Sequence, residues 1–269
     1  RMRPVLVLMS HELFGGKFEK VISPALAMEL FHNFSLVHDD IMDKAKLRRG
    51  KATVHEKWNT NTAILSGDAI LIEAYKLISE VDSNYLLDVL NLFNRTATEV
   101  CEGQVMDMDF ETRNDVTIDE YLKMILLKTA VLLGGCLKTG AILAGADNEN
   151  ANHIYEFGIN LGIAFQLHDD ILDVYADPKK FGKSVSGDIA ANKKTFLFLK
   201  LLEICSHKDK SEIKELLKLN GPSKIERMIS LYDKNNVKAA SEKVMEDYFS
   251  AAMISLGKIN VGDDKKMPL

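Results

Sequence analysis

Apolar residues recur at every third or fourth position along almost the whole chain, and two-residue alternation is hard to find. This spacing predicts helices over residues 3–13, 19–44, 60–80, 84–111, 117–144, 150–176, 189–204, 209–219, 223–232 and 236–256, and with them an all-α fold. Between these segments stand turn and cap signals: Gly15-Gly16, Asp82-Ser83, Asn114-Asp115 ahead of Thr117, Asp147-Asn148, Asp177-Pro178 and Gly221-Pro222. Several long central segments suit a layered helical bundle, an architecture that holds ligand and metal sites in the core between facing helices.

With 269 residues, 46% of them hydrophobic, the chain can bury a large core, and no linker-like stretch divides it, so residues 1–269 are expected to form one domain. A formal net charge of -5 and the absence of a basic run argue against a nucleic-acid partner. Cys101, Cys136 and Cys205 are odd in number, far apart and set in apolar helical stretches. They read as reduced core residues of a cytoplasmic protein. No apolar run is expected to reach the roughly 18 residues of a bilayer span, so no stable membrane insertion is expected.

The chemistry is concentrated in two copies of one acidic signature, DDIMD at Asp39 to Asp43 and DDILD at Asp169 to Asp173. At about 3.6 residues per turn, the first and fifth positions of each project from one helix face. Paired carboxylates repel, and burial disfavours both ionised forms; a bound divalent cation removes both penalties. Oxygen ligands without matching Cys or His suit Mg²⁺, which keeps waters and takes further ligands from substrate phosphates. A solvated helix face would account for one such motif, but not for the repeated flanks FSLVHDDIMD and IAFQLHDDILD. On the same faces, Ser35, His32, Phe31 and Met28 lie behind Asp39, and Gln166, Phe165, Gly162 and Gly158 behind Asp169. The two glycines suggest a slot beneath a diphosphate-binding mouth, fit for a charged head with a long hydrocarbon tail.

FSLVHDDIMD followed by LRRGKATVH, then GQVMDM at Gly103 to Met108, LLKTA at Leu126 to Ala130, and FQLHDDILDV followed by GKSVSGDIAANKKT together resemble the trans-isoprenyl diphosphate synthases. The resemblance covers nearly all of the chain. It implies the all-α isoprenoid synthase fold around a deep central cavity, a homodimer, and Mg²⁺, three ions per active site with Mn²⁺ as a substitute. The substrates implied are isopentenyl diphosphate and an allylic diphosphate (dimethylallyl, geranyl or farnesyl). Carried over by motif position, Asp39, Asp43 and Asp169 ligate metal, with Asp40, Asp107, Asp170 and Asp173 in support. Arg48, Lys183 and Lys193 clamp the allylic diphosphate. Arg3, His32 and Arg49 form the isopentenyl diphosphate pocket. Lys128, Thr129 and Gln166 stabilise the allylic carbocation. The family's Gly-Gly-Lys element ahead of the RMRP-like segment is not in this sequence, and the chain is expected to lack N- and C-terminal family segments.

Two alternatives share parts of this pattern. A class I terpene cyclase normally mixes Asn, Ser, Thr and Glu into its second metal motif, whereas DDILD with a following lysine favours a synthase. A non-catalytic subunit of a heteromeric synthase typically lacks one motif or the arginines, and both are intact here. For product length the resemblance points to Phe34 and Ser35, while the helical wheel, which puts Phe34 on the flank of the aspartate face, offers Phe31 or Met28 as an alternative floor of the tail pocket. One aromatic at these positions, and no insertion in the aspartate motif, favours geranylgeranyl over farnesyl diphosphate.

Overall fold

The computed structural model describes residues 1–176 and 186–269. Its helices are α1 (Met2–Leu13), α2 (Ile22–Met42), α3 (Val54–Lys57), α4 (Thr60–Ser79), α5 (Ser83–Thr112), α6 (Ile118–Ile125), α7 (Val131–Leu143), α8 (Asn148–Tyr175), α9 (Gly187–Ala190), α10 (Phe196–Ile204), α11 (His207–Leu216), α12 (Pro222–Lys234), α13 (Val237–Lys258) and α14 (Asp263–Lys266). A 3-10 turn, Phe18–Val21, precedes α2, and a π-helical turn, Leu126–Ala130, joins α6 to α7. The only strands among the described residues are Leu47–Arg48 and Lys51–Ala52, an antiparallel pair.

Caps fall where the side chains supply acceptors for the unpaired first-turn N–H groups. Asn59 Oδ1 accepts from Thr62 N at 2.8 Å. Thr117 and Glu120 form a reciprocal capping box at the start of α6. Gly221, at φ 92°, precedes Pro222 in the first turn of α12, where a missing N–H costs nothing.

The chain forms two compact units. One comprises residues 1–99, 132–158 and 255–269. In it α2 packs chiefly along α4, over a core that includes Val7, Ala27, Met28, Phe31, Ala63, Ala74, Ile78 and Phe93. α1 crosses α7 at Gly140, where a Cβ would lie 2.3 Å from the Val7 carbonyl oxygen, and Ser10 Oγ donates to the Leu137 carbonyl at 2.6 Å. The other unit comprises residues 100–131 and 159–254. Its interior is built on Ile125, Ala130, Leu167, Phe196, Leu197, Leu201, Leu216, Met228 and Tyr232.

Several expectations change here. The segment expected as one helix over 189–204 is two, because Asn192 takes a left-handed φ of 56° and Thr195 is extended and starts α10. The 117–144 segment contains the π turn. The hairpin, α3 and α14 carry too few residues for periodicity to register. Cys101 is exposed, so of the three cysteines only Cys136 and Cys205 are buried. Ile118–Leu143 is long and apolar enough to cross a membrane, contrary to expectation, but 67% of its most apolar window is buried inside the protein. A core helix meets the same test.

The glycines of α8 are not a substrate slot. A Cβ on Gly158 would meet Gly134 Cα at 2.7 Å, and one on Gly162 would meet Ala130 Cα at 2.6 Å, so these positions let helix backbones approach closely. Alanine is the better helix former by about 1 kcal/mol, yet forced overpacking costs about 1–3 kcal/mol. Gly162→Ala should therefore lower unfolding stability in a denaturant titration; a rise in stability would show that this contact is not tight.

Candidate active site

In the first unit, the end of α2 and the hairpin after it bring the first acidic motif to two arginines. The hairpin is closed by Arg49 and Gly50, both at positive φ, 53° and 76°, the pattern of a type I′ turn. That turn separates the adjacent arginines. Arg48 folds back on α2, donating from Nε to Asp40 Oδ1 at 2.8 Å and from Nη2 to Asp39 Oδ2 at 3.0 Å, while Arg49 is exposed. A guanidinium has five N–H donors, so Arg48 can hold both carboxylates and still reach an anion. Asp40 is buried and Asp39 half-buried, whereas Asp43, just past the end of α2, is exposed.

Arg3, His32 and Arg49 share one electropositive neighbourhood. The His32 imidazole is held down at about 3, first by burial and then by the positive charges of Arg3, Arg49, Arg48 and Arg1. It is therefore a neutral hydrogen-bonding group among cations. Arg3 is lowered by burial, and its Nε is buried without a protein hydrogen-bond partner. An orphaned guanidinium N–H in this setting fits an anionic ligand. Glu29 offers partial compensation, accepting from Arg1 Nη1 at 2.7 Å.

Phe34, Ser35 and Phe31 lie on α2 close to this cluster in sequence. Phe31 is 1% exposed, with Phe34 at 5.8 Å and Phe93 at 5.5 Å between ring centroids. The structure thus places Phe31 in the core. Phe34 is half-buried and packs on His38 at 4.7 Å. Ser35 is half-buried and donates to the His32 carbonyl at 2.9 Å, leaving a small side chain one residue from an aromatic one.

In the second unit, the site residues come from the rear of α5, the π turn, α8 and α9. Gly103 lets α5 approach the π turn: a Cβ there would lie 2.3 Å from Lys128 N and 2.7 Å from Lys128 Cα. A π turn inserts an extra residue and re-aims the side chains on it. Lys128 Nζ pairs with Asp107 Oδ2 at 2.6 Å. Thr129 Oγ1 donates to Gln166 Oε1 at 3.3 Å, and Gln166 Nε2 donates to Asp170 Oδ1 at 3.2 Å. Asp170 Oδ2 accepts from the Tyr121 hydroxyl and from Phe196 N. Burial pushes the Asp170 carboxyl up to about 7 against the pull of these donors.

Asp169 is exposed. Asp173 Oδ2 accepts from Asp188 N at 3.1 Å. The Asp188 carboxyl is pushed up to about 6 by burial and then by Asp173, Asp169 and Asp107, against the opposing charge of Lys193, whose Nζ is 3.7 Å away. Lys183, expected in the diphosphate clamp, lies outside the described residues. Sequence reasoning missed Asp188 and Tyr121. The first sits in the GDIAANKK run, five residues before Lys193; the second has no signal beyond an apolar helical position.

This carboxylate crowding suits a divalent cation. Among the described residues no three Asp, Glu, His or Cys side chains close on one point, and Mg²⁺, which draws on waters and substrate phosphates, does not require them to.

The chain matches the family model described as polyprenyl synthetase over residues 1–234. It is 39% identical over 270 residues to a geranylgeranyl diphosphate synthase of Sulfolobus acidocaldarius, covering 98% of this chain and 82% of that one. It also superposes on a crystal structure of geranylgeranyl pyrophosphate synthase with a TM-score of 0.95 at 45% identity, covering 99% of this chain and 84% of the other. A polyprenyl synthase from Caulobacter crescentus CB15, described as complexed with calcium and isoprenyl diphosphate, superposes with a TM-score of 0.88 at 26% identity, covering 98% of this chain and 80% of that one.

The depressed His32 sets a pH dependence. An unfolded histidine titrates near about 6.5, whereas the folded one titrates near 3. Between these values the unfolded chain binds a proton that the folded chain does not, so His32 lowers stability as pH falls through this window and has no such effect above it. The stability difference between wild type and His32→Gln, followed by denaturant unfolding, should shift against wild type from pH 7 to pH 4. A difference that stays flat would show that burial and the neighbouring arginine charges do not hold the His32 imidazole down.

Proposed function

This chain belongs to the polyprenyl synthetase family and is a prenyltransferase of the isoprenoid synthase fold, and from that premise we propose that it makes geranylgeranyl diphosphate from isopentenyl diphosphate and a shorter allylic diphosphate. The observation that carries this reading is the separation of Arg48 from Arg49 by the I′ turn, which equips one short segment to serve two anions.

The isopentenyl diphosphate head is assigned to Arg3, Arg49 and neutral His32. The orphaned Arg3 Nε supplies a donor to a phosphate oxygen, and an uncharged imidazole adds a hydrogen bond without a titrating charge. Arg48 keeps Asp39 and Asp40 in place and offers its remaining N–H groups to the allylic diphosphate; Lys193 contributes a point charge. Asp39, Asp43 and Asp169 are the residues that would hold Mg²⁺, which supplies positive charge to the diphosphate leaving group. The Caulobacter relative's calcium and isoprenyl diphosphate support this assignment.

When the allylic C1–O bond breaks, its electron pair leaves with the pyrophosphate and an allylic cation remains. Thr129 Oγ1 and the Gln166 amide are assigned to that cation, as preorganised dipoles that need no reorganisation as charge develops. Lys128, held by Asp107, fixes the π turn that carries Thr129. The double bond of isopentenyl diphosphate then attacks the cation, and a proton is lost to the departed pyrophosphate.

A homodimer fits the exposed apolar residues Ile64, Leu65 and Ile72 of α4 and Leu87 of α5, which such an interface would cover.

Incubation of the protein with Mg²⁺, isopentenyl diphosphate and each allylic primer, followed by mass analysis, tests the assignment. The expected main product is the twenty-carbon diphosphate. A cyclised hydrocarbon, or no product with any primer, would overturn it. Phe34→Ala should lengthen the product by one or more isoprene units with turnover retained, since each unit adds about 5 Å, close to one helical turn. An unchanged product distribution in the folded variant would remove Phe34 from length control.

A further inference from the structure

The buried end of the Thr129–Gln166–Asp170 chain has a directional logic that no motif announces. An ionised carboxylate only accepts hydrogen bonds, an amide has a donor end and an acceptor end, and a hydroxyl has one proton. Asp170 is 4% exposed and Tyr121 3% exposed, so neither exchanges these partners for bulk water. Asp170 Oδ2 takes the Tyr121 O–H and the Phe196 N–H, the latter at 3.3 Å. Oδ1 takes the Gln166 Nε2 group at 3.2 Å.

The Tyr121 O–H and Phe196 N–H held on Oδ2 favour the ionised form of Asp170, and in that form it can only accept, which fixes the end of the Gln166 amide that faces it. The amide oxygen is then left for Thr129, whose Oγ1 donates to it at 3.3 Å. With its one proton committed, Thr129 Oγ1 has only lone pairs to present elsewhere. An oxygen in that state stabilises a developing cation, whereas one free to point its proton outward would not. The break between α9 and α10 belongs to the same device, since the start of α10 turns the Phe196 N–H toward Asp170.

We propose that Tyr121 is a positioning residue for the ionisation step: its hydroxyl anchors Asp170, which orients the Gln166 amide, which in turn leaves Thr129 Oγ1 with lone pairs alone for the allylic cation. The proposal rests on the assignment of Thr129 to that cation. Tyr121 touches no reacting atom, and its influence passes through three side chains on α8 and the π turn.

A double-mutant cycle tests it, with Tyr121→Phe, Thr129→Val and the double variant compared by steady-state kinetics in saturating Mg²⁺. Tyr121→Phe should lower kcat by about tenfold, with KM for both diphosphates within about twofold of wild type. In the Thr129→Val background the same change should have no further effect on kcat. Equal fold-losses in both backgrounds, or a raised KM with unchanged kcat, would overturn the relay while leaving the Thr129 assignment standing. Unchanged kcat in Thr129→Val alone would overturn that assignment and the relay with it. Circular dichroism checks that each variant folds. Should Tyr121→Phe not fold, Asp170→Asn takes its place in the cycle: an amide there can face either way, and the same coupling to Thr129 is expected, with the same outcomes overturning it.

Discussion

Mutual repulsion among carboxylates is the constraint around which both acidic motifs are organised. Unpaired, such groups resist burial and ionise with difficulty. The protein answers each one differently. Arg48 forks across Asp39 and Asp40, Lys128 takes Asp107, and Asp170 is closed off by three donors. What stays under-compensated is the group around Asp188, raised by burial and by its acidic neighbours despite Lys193. A protein that leaves this charge crowding in place gains affinity for a cation at the cost of some stability without it.

The helical frame serves this end through its irregularities more than through its regular turns. The I′ turn sends Arg48 and Arg49 in different directions. The π turn, with α5 pressed against it through Gly103, fixes Lys128 and Thr129. The interruption between α9 and α10 brings Phe196 N to Asp170, and the first turn of α9 brings Asp188 N to Asp173. Each departure from ideal helix geometry lies next to a residue with a chemical role, as expected where local strain is tolerated for positioning.

Long elements were legible in the sequence because little besides a helix produces a three-to-four residue period over many turns, and α2, α4, α5 and α8 lie close to their expected bounds. The acidic motifs were legible through spacing on one helix face, and the arginines that follow the first of them only through the resemblance of LRRGKATVH to a synthase motif. Short features were not. Periodicity has no purchase on a two-residue strand pair, and nothing in LLKTA marks a π turn rather than ordinary helix. Gly158 and Gly162 were placed on the right face and given the wrong partner, because a glycine records that something comes close but not whether it is a ligand or another backbone. Phe31 shows a similar limit, since a wheel gives direction along α2 but not the depth that puts this ring against Phe93. Tyr121 was unreadable, as its role depends on Asp170, 49 residues away in the chain.

If relief of carboxylate repulsion by a divalent cation is what drives the chemistry, loss of one charge from either motif should change the metal requirement as well as the rate. The most direct measurement is turnover against Mg²⁺ concentration for Asp39→Asn and Asp169→Asn, with helical content monitored alongside. Both variants should remain folded, lose turnover by about a hundredfold or more at saturation, and need more Mg²⁺ to reach half of their maximum. Folded variants with near-normal turnover and an unchanged Mg²⁺ midpoint would contradict the account.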